Sequence, residues 1–198
     1  SLTRDTNPLR NTLVPSEFVN TILRLRRNGN QTYRLSRSDT TIFFCADDLM
    51  IHSRLIDGEF PDYEQVIPQT HERTATMKRR KLYHAIKRIT LMSDKSNQIR
   101  FEFNGDRVLL TSASPDAGEA REELKCHYES NPPEGTSFAI GFAGKYILDV
   151  LEILDADQVT FLMNDPGQAL RIEEKDSTHV IMPVRLMESF QQEEKQAA

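Results

Sequence analysis

SRLIDGEFPDYEQVIP, residues 53–68, decides how the rest of the sequence divides. It closes an apolar run (Leu49, Ile51, Leu55), turns at Asp57-Gly58 and re-enters an extended run at Val66-Ile67. Gly58 accepts a positive φ without strain, which gives the Asp-Gly turn its mechanism. Pro61 and Pro68 fix their own φ and push Phe60 and Ile67 out of the helical region. A flexible linker is rich in Gly and Ser. This one carries Leu55, Ile56, Phe60, Tyr63, Val66 and Ile67, which need a surface. It reads as a stiffened linker or as a packed inter-strand loop.

On either side of this joint the pattern repeats. Upstream, apolar Phe18, Val19, Ile22 and Leu23 fall on one face of a helix over about 15–27, with Asn20, Arg24 and Arg27 opposite. Asn28-Gly29-Asn30 ends it. Extended runs follow at about 31–37, 40–46 and 49–55. Downstream, a short extended piece at 73–77 leads to a helix over about 78–92 with the stripe Leu82, Ala85, Ile86, Ile89. Arg80, His84, Lys87 and Arg88 then point away from that stripe. Strands are predicted at 98–104 and 107–112, joined by the hairpin turn Asn104-Gly105-Asp106, and at 119–129. Asn131-Pro132-Pro133-Glu134-Gly135 breaks the chain. An extended 137–142, a helix over about 143–154 (Tyr146, Ile147, Val150, Leu151 and Leu154 inward) and strands at 157–163, 168–173 and 178–184 complete it. The tail from Met187 to Ala198 is polar.

Helix followed by three strands thus occurs three times, and the helix aromatics Phe18, Tyr83 and Tyr146 stand 65 and 63 residues apart. A fixed period of this kind marks repeated supersecondary units. The fold class is α+β, helices backing antiparallel sheet. One helix over three or four strands buries its apolar face poorly, so modules two and three pair as a domain over 69–186, followed by the tail 187–198. Module one, in residues 1–68, is left without a partner, and the sequence reads as part of a longer chain.

The bulk numbers exclude several function classes. Hydrophobic residues make up 38% and charged residues 28%, with a net charge of −5, which argues against a uniformly basic nucleic-acid binder but allows cations confined to one surface. No apolar run approaches a membrane span, and no secretory leader is evident. Cys45 and Cys126 are isolated thiols without paired spacing, which fits a reducing cytoplasm. No Walker loop, GxSxG elbow or HExxH is present. Cys126 and His127 are neighbours on a strand, point to opposite faces and cannot share a metal. Asp47-Asp48 reads as a turn. Cys45 and His52, on adjacent strands, make at most a weak dyad for a small hydrolase. No catalytic residue, metal or cofactor is expected, and the chain does not read as an enzyme.

What remains are binding surfaces. Arg24, Arg27, Arg80, Lys87 and Arg88 lie on the solvent faces of the first two helices, whereas Lys145 of the third shares its outer face with Asp149 and Glu152. Three stretches carry a family resemblance: Ser53–Pro68, Gly141–Val150 (GFAGKYILDV) and Val180–Leu186 (VIMPVRL). In this order they resemble the bacterial β sliding clamps, the DNA polymerase III beta subunits, over about 13–186. The match falls on the second half of the middle domain and the whole third domain.

The resemblance implies the DNA-clamp fold and a processivity factor, a head-to-tail homodimeric ring around duplex DNA. The helices would line the hole, their cations neutralising phosphates without reading sequence. It also implies a groove for peptide tails of the polymerase III alpha subunit, the clamp loader and other clamp-binding proteins. The matching groove positions are Pro61, Val66, Tyr146, Val180, Met182, Pro183, Val184 and Arg185. Leu91 and Met92 match the dimer edge. Ala143 stands where the family commonly has Asn, and Gln65 where it often has Arg. A truncated clamp that captures such peptides without forming a ring is the alternative.

Overall fold

Along residues 118–130 the side chains alternate. Ala120, Glu122, Leu124, Cys126 and Tyr128 fall on one side of the strand and Glu119, Arg121, Glu123, Lys125, His127 and Glu129 on the other. In the computed structural model the first set turns toward the helices and the second is exposed. The structure describes residues 12–25, 33–46, 49–60, 62–91, 98–114, 118–131 and 137–186. Two compact units result, 1–62 and 63–198. The division falls after Asp62 rather than after Pro68, because residues 63–72 attach to the second unit. The Pro68 carbonyl accepts from the Arg171 guanidinium, and Asn164 bonds the backbone of Thr70 and Glu72.

The first unit has one helix, α1 (Ser16–Leu25), and the meander β1 (Tyr33–Arg37), β2 (Thr41–Ala46), β3 (Leu49–Arg54). Phe18, Ile42 and Phe44 are its buried core, with Val14, Ile22, Ile51 and Leu55 packed around them. The predicted apolar stripe of α1 is only half covered. Val19 is exposed and Leu23 is 61% exposed, since three strands meet only the Phe18–Ile22 side. Arg27, the turn at 28–30 and Asp47-Asp48 lie outside the described residues. His52 sits opposite Phe43, with ring centroids 6.1 Å apart, while Cys45 sits opposite Met50. The suggested dyad is therefore replaced by a ring contact.

The second unit is a doubled β-α-β-β-β motif. A single turn of 3-10 helix (Tyr63–Val66) precedes β4 (Arg73–Lys78), α2 (Arg79–Ile89), β5 (Gln98–Asn104), β6 (Arg107–Ser114) and β7 (Gly118–Ser130). The motif then recurs as β8 (Phe138–Ala143), α3 (Gly144–Ile153), β9 (Gln158–Met163), β10 (Leu170–Glu174) and β11 (Ser177–Ile181). Helix α2 begins at Arg79 and α3 at Gly144, a repeat of 65 residues. The strands form one antiparallel sheet in the order β11-β10-β9-β4-β7-β6-β5-β8.

That order ties the repeats together. The leading strand of each repeat pairs with the second strand of the other, β4 with β9 and β8 with β5, while β4 also pairs with β7, the last strand of its own repeat. Neither repeat is complete without its twin.

The core lies between sheet and helices. Leu82, Ala85, Ile86 and Ile89 of α2 are all fully buried, as their spacing predicts. They meet Phe101, Phe103, Phe142 and Phe161, with Phe101 edge-on to Phe142 at 5.5 Å. Burying a large apolar side chain is worth about 1.5–3 kcal/mol, so this cluster holds the two repeats together. The predicted inward face of α3 needs one correction. Ile147 and Leu151 are buried, but Tyr146 is 57% exposed, because it lies about 100° around the helix from Ile147 and past the edge of the covered stripe.

Candidate functional site

Helix α2 (RRKLYHAIKRI) contains no acidic residue. With its apolar stripe buried, Arg80, Lys81, His84, Lys87 and Arg88 are all exposed. Two of these cations sit in the first turn, where the positive end of the helix dipole opposes them by about 0.3–1 kcal/mol each. The N-cap, Lys78, offers no side-chain cap. The third basic residue there, Arg79, is turned away, donating to Ala156 O (2.7 Å) and to Leu151 O (2.8 Å) at the end of α3. Arg80 and Lys81 have no carboxylate partner among the described residues. This is an electrostatic cost with no local return in the fold.

Between α2 and β7 lies an open depression of about 420 Å³ lined by Arg80, Lys81, His84, Arg88 and Leu124. Arg88 is held across it. Its Nε donates to Glu122 Oε1 at 2.6 Å and its Nη2 to Oε2 at 2.7 Å, a bidentate fork. Hydrogen bonding to Glu122 raises the Arg88 pKa further above its usual range. Lys87 Nζ stands 5.8 Å from the Tyr83 ring centroid. Helix α3 carries no equivalent face. Lys145 is tied to Asp149 at 2.7 Å, a contact that raises its pKa, and Asp149 and Glu152 are themselves exposed. Of the other cations singled out in the sequence, Arg24 is exposed on α1, and Arg27 lies outside the described residues. Lys81 was not singled out there, although the absence of any acidic residue in α2 would have drawn attention to it.

The second candidate surface follows the C-terminal segment. Strand β11 stops at Ile181 rather than continuing to Val184, because Pro183 has no N–H to donate to a ladder. Val180 is half-buried opposite Arg171, the residue that holds the Pro68 carbonyl. Beyond it the segment meets β8, the other edge strand: only three residues lead from Ile181 to Val184, so the sheet curls until its two edges adjoin. Val184 N–H donates to Gly141 O at 2.9 Å, and Gln98 Nε2 donates to Arg185 O. Gln98 pairs with Ala143, so Val184 and Arg185 arrive at the β8–α3 junction, where Tyr146 stands in the first turn. Val66 (55%), Tyr146 (57%) and Met182 (57%) are exposed apolar groups, Pro183 and Val184 are half-buried, and Arg185 is exposed. Pro61 lies outside the described residues.

Gly141 makes this close approach possible. A Cβ there would stand 2.7 Å from Val184 O and 2.8 Å from Leu186 Cδ2. Its backbone needs no positive φ, so nothing in the sequence pattern marks it as a contact glycine. At the end of α2, Leu91 is 81% exposed and Met92 lies outside the described residues. No group of three or more His, Cys, Asp or Glu that could hold a metal occurs among the described residues. No helix among them is long and apolar enough to cross a membrane.

The family model for the DNA polymerase III beta subunit, C-terminal domain, matches residues 64–185. The chain belongs to this family. Among curated beta sliding clamps, that of Pseudomonas putida is 34% identical over 138 residues, 68% of this chain and 36% of the relative. That of Escherichia coli K12 is 28% identical over 183 residues, 90% of this chain and 49% of the relative. The crystal structure of the DNA polymerase III subunit beta from Pseudomonas aeruginosa superposes with a TM-score of 0.77 at 28% identity, covering 87% of this chain and 47% of that one. The beta-subunit resemblance of the three sequence stretches thus extends to the three-dimensional fold, the α+β clamp architecture. The chain spans half or less of the length of these relatives.

Proposed function

We propose that this beta-subunit chain acts as part of a DNA sliding clamp, a processivity factor that works by binding and topology and not by covalent chemistry. The observation that carries the reading is α2, a helix with a fully buried apolar stripe and an opposite cationic face, on which Arg80 and Lys81 have no carboxylate partner among the described residues, on a chain of net charge −5. Such a face suits the phosphates of duplex DNA, which it would neutralise irrespective of sequence. Tyr146, Met182 and Val66, with half-buried Val180, Pro183 and Val184 and exposed Arg185, suit capture of extended peptides from polymerase and clamp loader. Leu91, exposed at the end of α2, suits a subunit edge in a homodimeric ring.

The test is binding of a fluorescent duplex followed by anisotropy as KCl is raised. Affinity should fall log-linearly, and replacing Arg80 and Lys81 together by Gln should lower the slope by about 0.9 for each phosphate that is no longer neutralised. An unchanged slope in that variant would remove α2 from the DNA-binding surface. Retention on nicked circular DNA, abolished when the circle is cut, separates a ring from a module that only captures peptides.

A further inference from the structure

Bonded to Arg88 of the cationic depression is one element that the DNA-binding reading does not require, the carboxylate of Glu122. It reaches up from the helix-facing side of β7, two residues from Leu124, which lines the depression. Its side chain is 24% exposed, whereas that of Arg88 is 60% exposed. The bidentate fork uses the Nε and one Nη2 hydrogen of Arg88, which leaves the remaining guanidinium hydrogens for another acceptor. A carboxylate and a phosphate diester carry the same charge and engage the same fork. The neighbouring cations Arg80 and Lys81 have no acid partner among the described residues, so this acid is placed against one member of the cluster.

We infer that Arg88–Glu122 is an exchangeable latch: a DNA phosphate takes Arg88 from Glu122, and Glu122 thereby sets how tightly and how salt-dependently α2 holds the duplex. The inference rests on the proposed DNA-facing role of α2. While latched, Arg88 contributes little net positive charge to the surface. When a phosphate replaces Glu122, the freed carboxylate stays beside the same phosphate and repels it. The latch weakens binding at one contact, a property suited to a protein that must move along DNA and not rest at one site.

The experiment compares duplex affinity across KCl concentrations for the wild-type chain, Glu122→Gln, Arg88→Gln and the double variant, with Arg80→Gln/Lys81→Gln as a control. Glu122→Gln should bind tighter at low salt and have a slope steeper by about 0.9. This corresponds to a roughly 3.5-fold larger loss of affinity between 50 and 200 mM salt. Arg88→Gln should weaken binding and flatten the slope, because it leaves Glu122 as an unpaired carboxylate beside the phosphates, and in the Glu122→Gln background it should cancel the whole gain and return affinity to that of the wild type. Glu122→Ala, which removes the carboxylate without supplying an amide, should reproduce the gain.

Equal affinity and slope for wild type and both Glu122 variants, with weakened binding in the Arg80/Lys81 control, would overturn the latch and leave the DNA-facing helix standing. No change in any variant, the control included, would overturn both.

Discussion

Replacing Gly141 by Ala tests how the C-terminal segment is held. In an ordinary strand with negative φ, Gly→Ala stabilises by about 0.4–1 kcal/mol, because the unfolded chain loses freedom. Here the new Cβ would lie 2.7 Å from Val184 O and 2.8 Å from Leu186 Cδ2. The first of these is a backbone atom and cannot rotate away. Either the segment moves or the strand does, and overpacking of this kind costs about 1–3 kcal/mol. Movement also gives up the Val184–Gly141 hydrogen bond and endangers the one from Gln98 to Arg185 O, each worth about 1 kcal/mol net. The unfavourable contributions exceed the favourable one, and a net loss of about 1–3 kcal/mol is expected. For a chain of this size that is a fall in Tm of roughly 2–4 °C per kcal/mol. The assay is thermal unfolding together with amide hydrogen exchange at Val184, which should accelerate out of proportion to the core strands. A Gly141→Ala protein that melts at or above the wild-type temperature with Val184 protection unchanged would refute the close approach.

Three further outcomes follow from single contacts. Arg79→Ala removes both donors to the end of α3 and should cost about 2 kcal/mol in urea unfolding, with Arg79→Lys recovering only part, since an ammonium cannot reproduce the fork. Burial pushes the Cys126 thiol up to about 12, so at pH 8 iodoacetamide should leave it unmodified in the native protein and label it once denaturant is added; labelling at the rate of a free thiol would contradict its burial. Glu174 is held below its ordinary 4.5 chiefly by the Ala156 N–H at 2.6 Å. A depressed carboxylate stabilises the fold above its unfolded pKa and loses that contribution as pH falls through its folded value. The stability difference between wild type and Glu174→Gln should therefore be present at pH 7 and vanish in acid; a difference independent of pH would exclude this linkage.

Much of the local structure was legible because it depends on near neighbours. The stripe Leu82, Ala85, Ile86, Ile89 is buried throughout, and the Asn104-Gly105-Asp106 turn joins β5 to β6 with Gly105 at φ 57°. The repeat could be seen from its aromatic spacing, and residues 73–77 and 137–142 were readable as extended. Tyr146 shows where this reading stops. A residue at the border of a helical stripe is covered or exposed according to what packs beside it, and the angle alone does not decide. Arg79 and Arg80 are adjacent and chemically alike, yet one fastens α3 and the other faces solvent. Arg88 was singled out as a solvent-face cation, but its tie to Glu122, which is 34 residues away, was not foreseen.

By itself the amino-acid sequence determined the helices, the hairpins, the stiff joint at 53–68 and the family likeness, since these rest on backbone preference and short-range periodicity. Only the tertiary structure decided that β4 and β8 each pair with the second strand of the other repeat, that Gly141 admits the Val184 backbone, and that one of α2's cations is already engaged. The physical reason is common to all three. Each depends on which distant surface arrives at a given edge, and an unpaired strand edge or an exposed guanidinium accepts many partners that local sequence does not choose between.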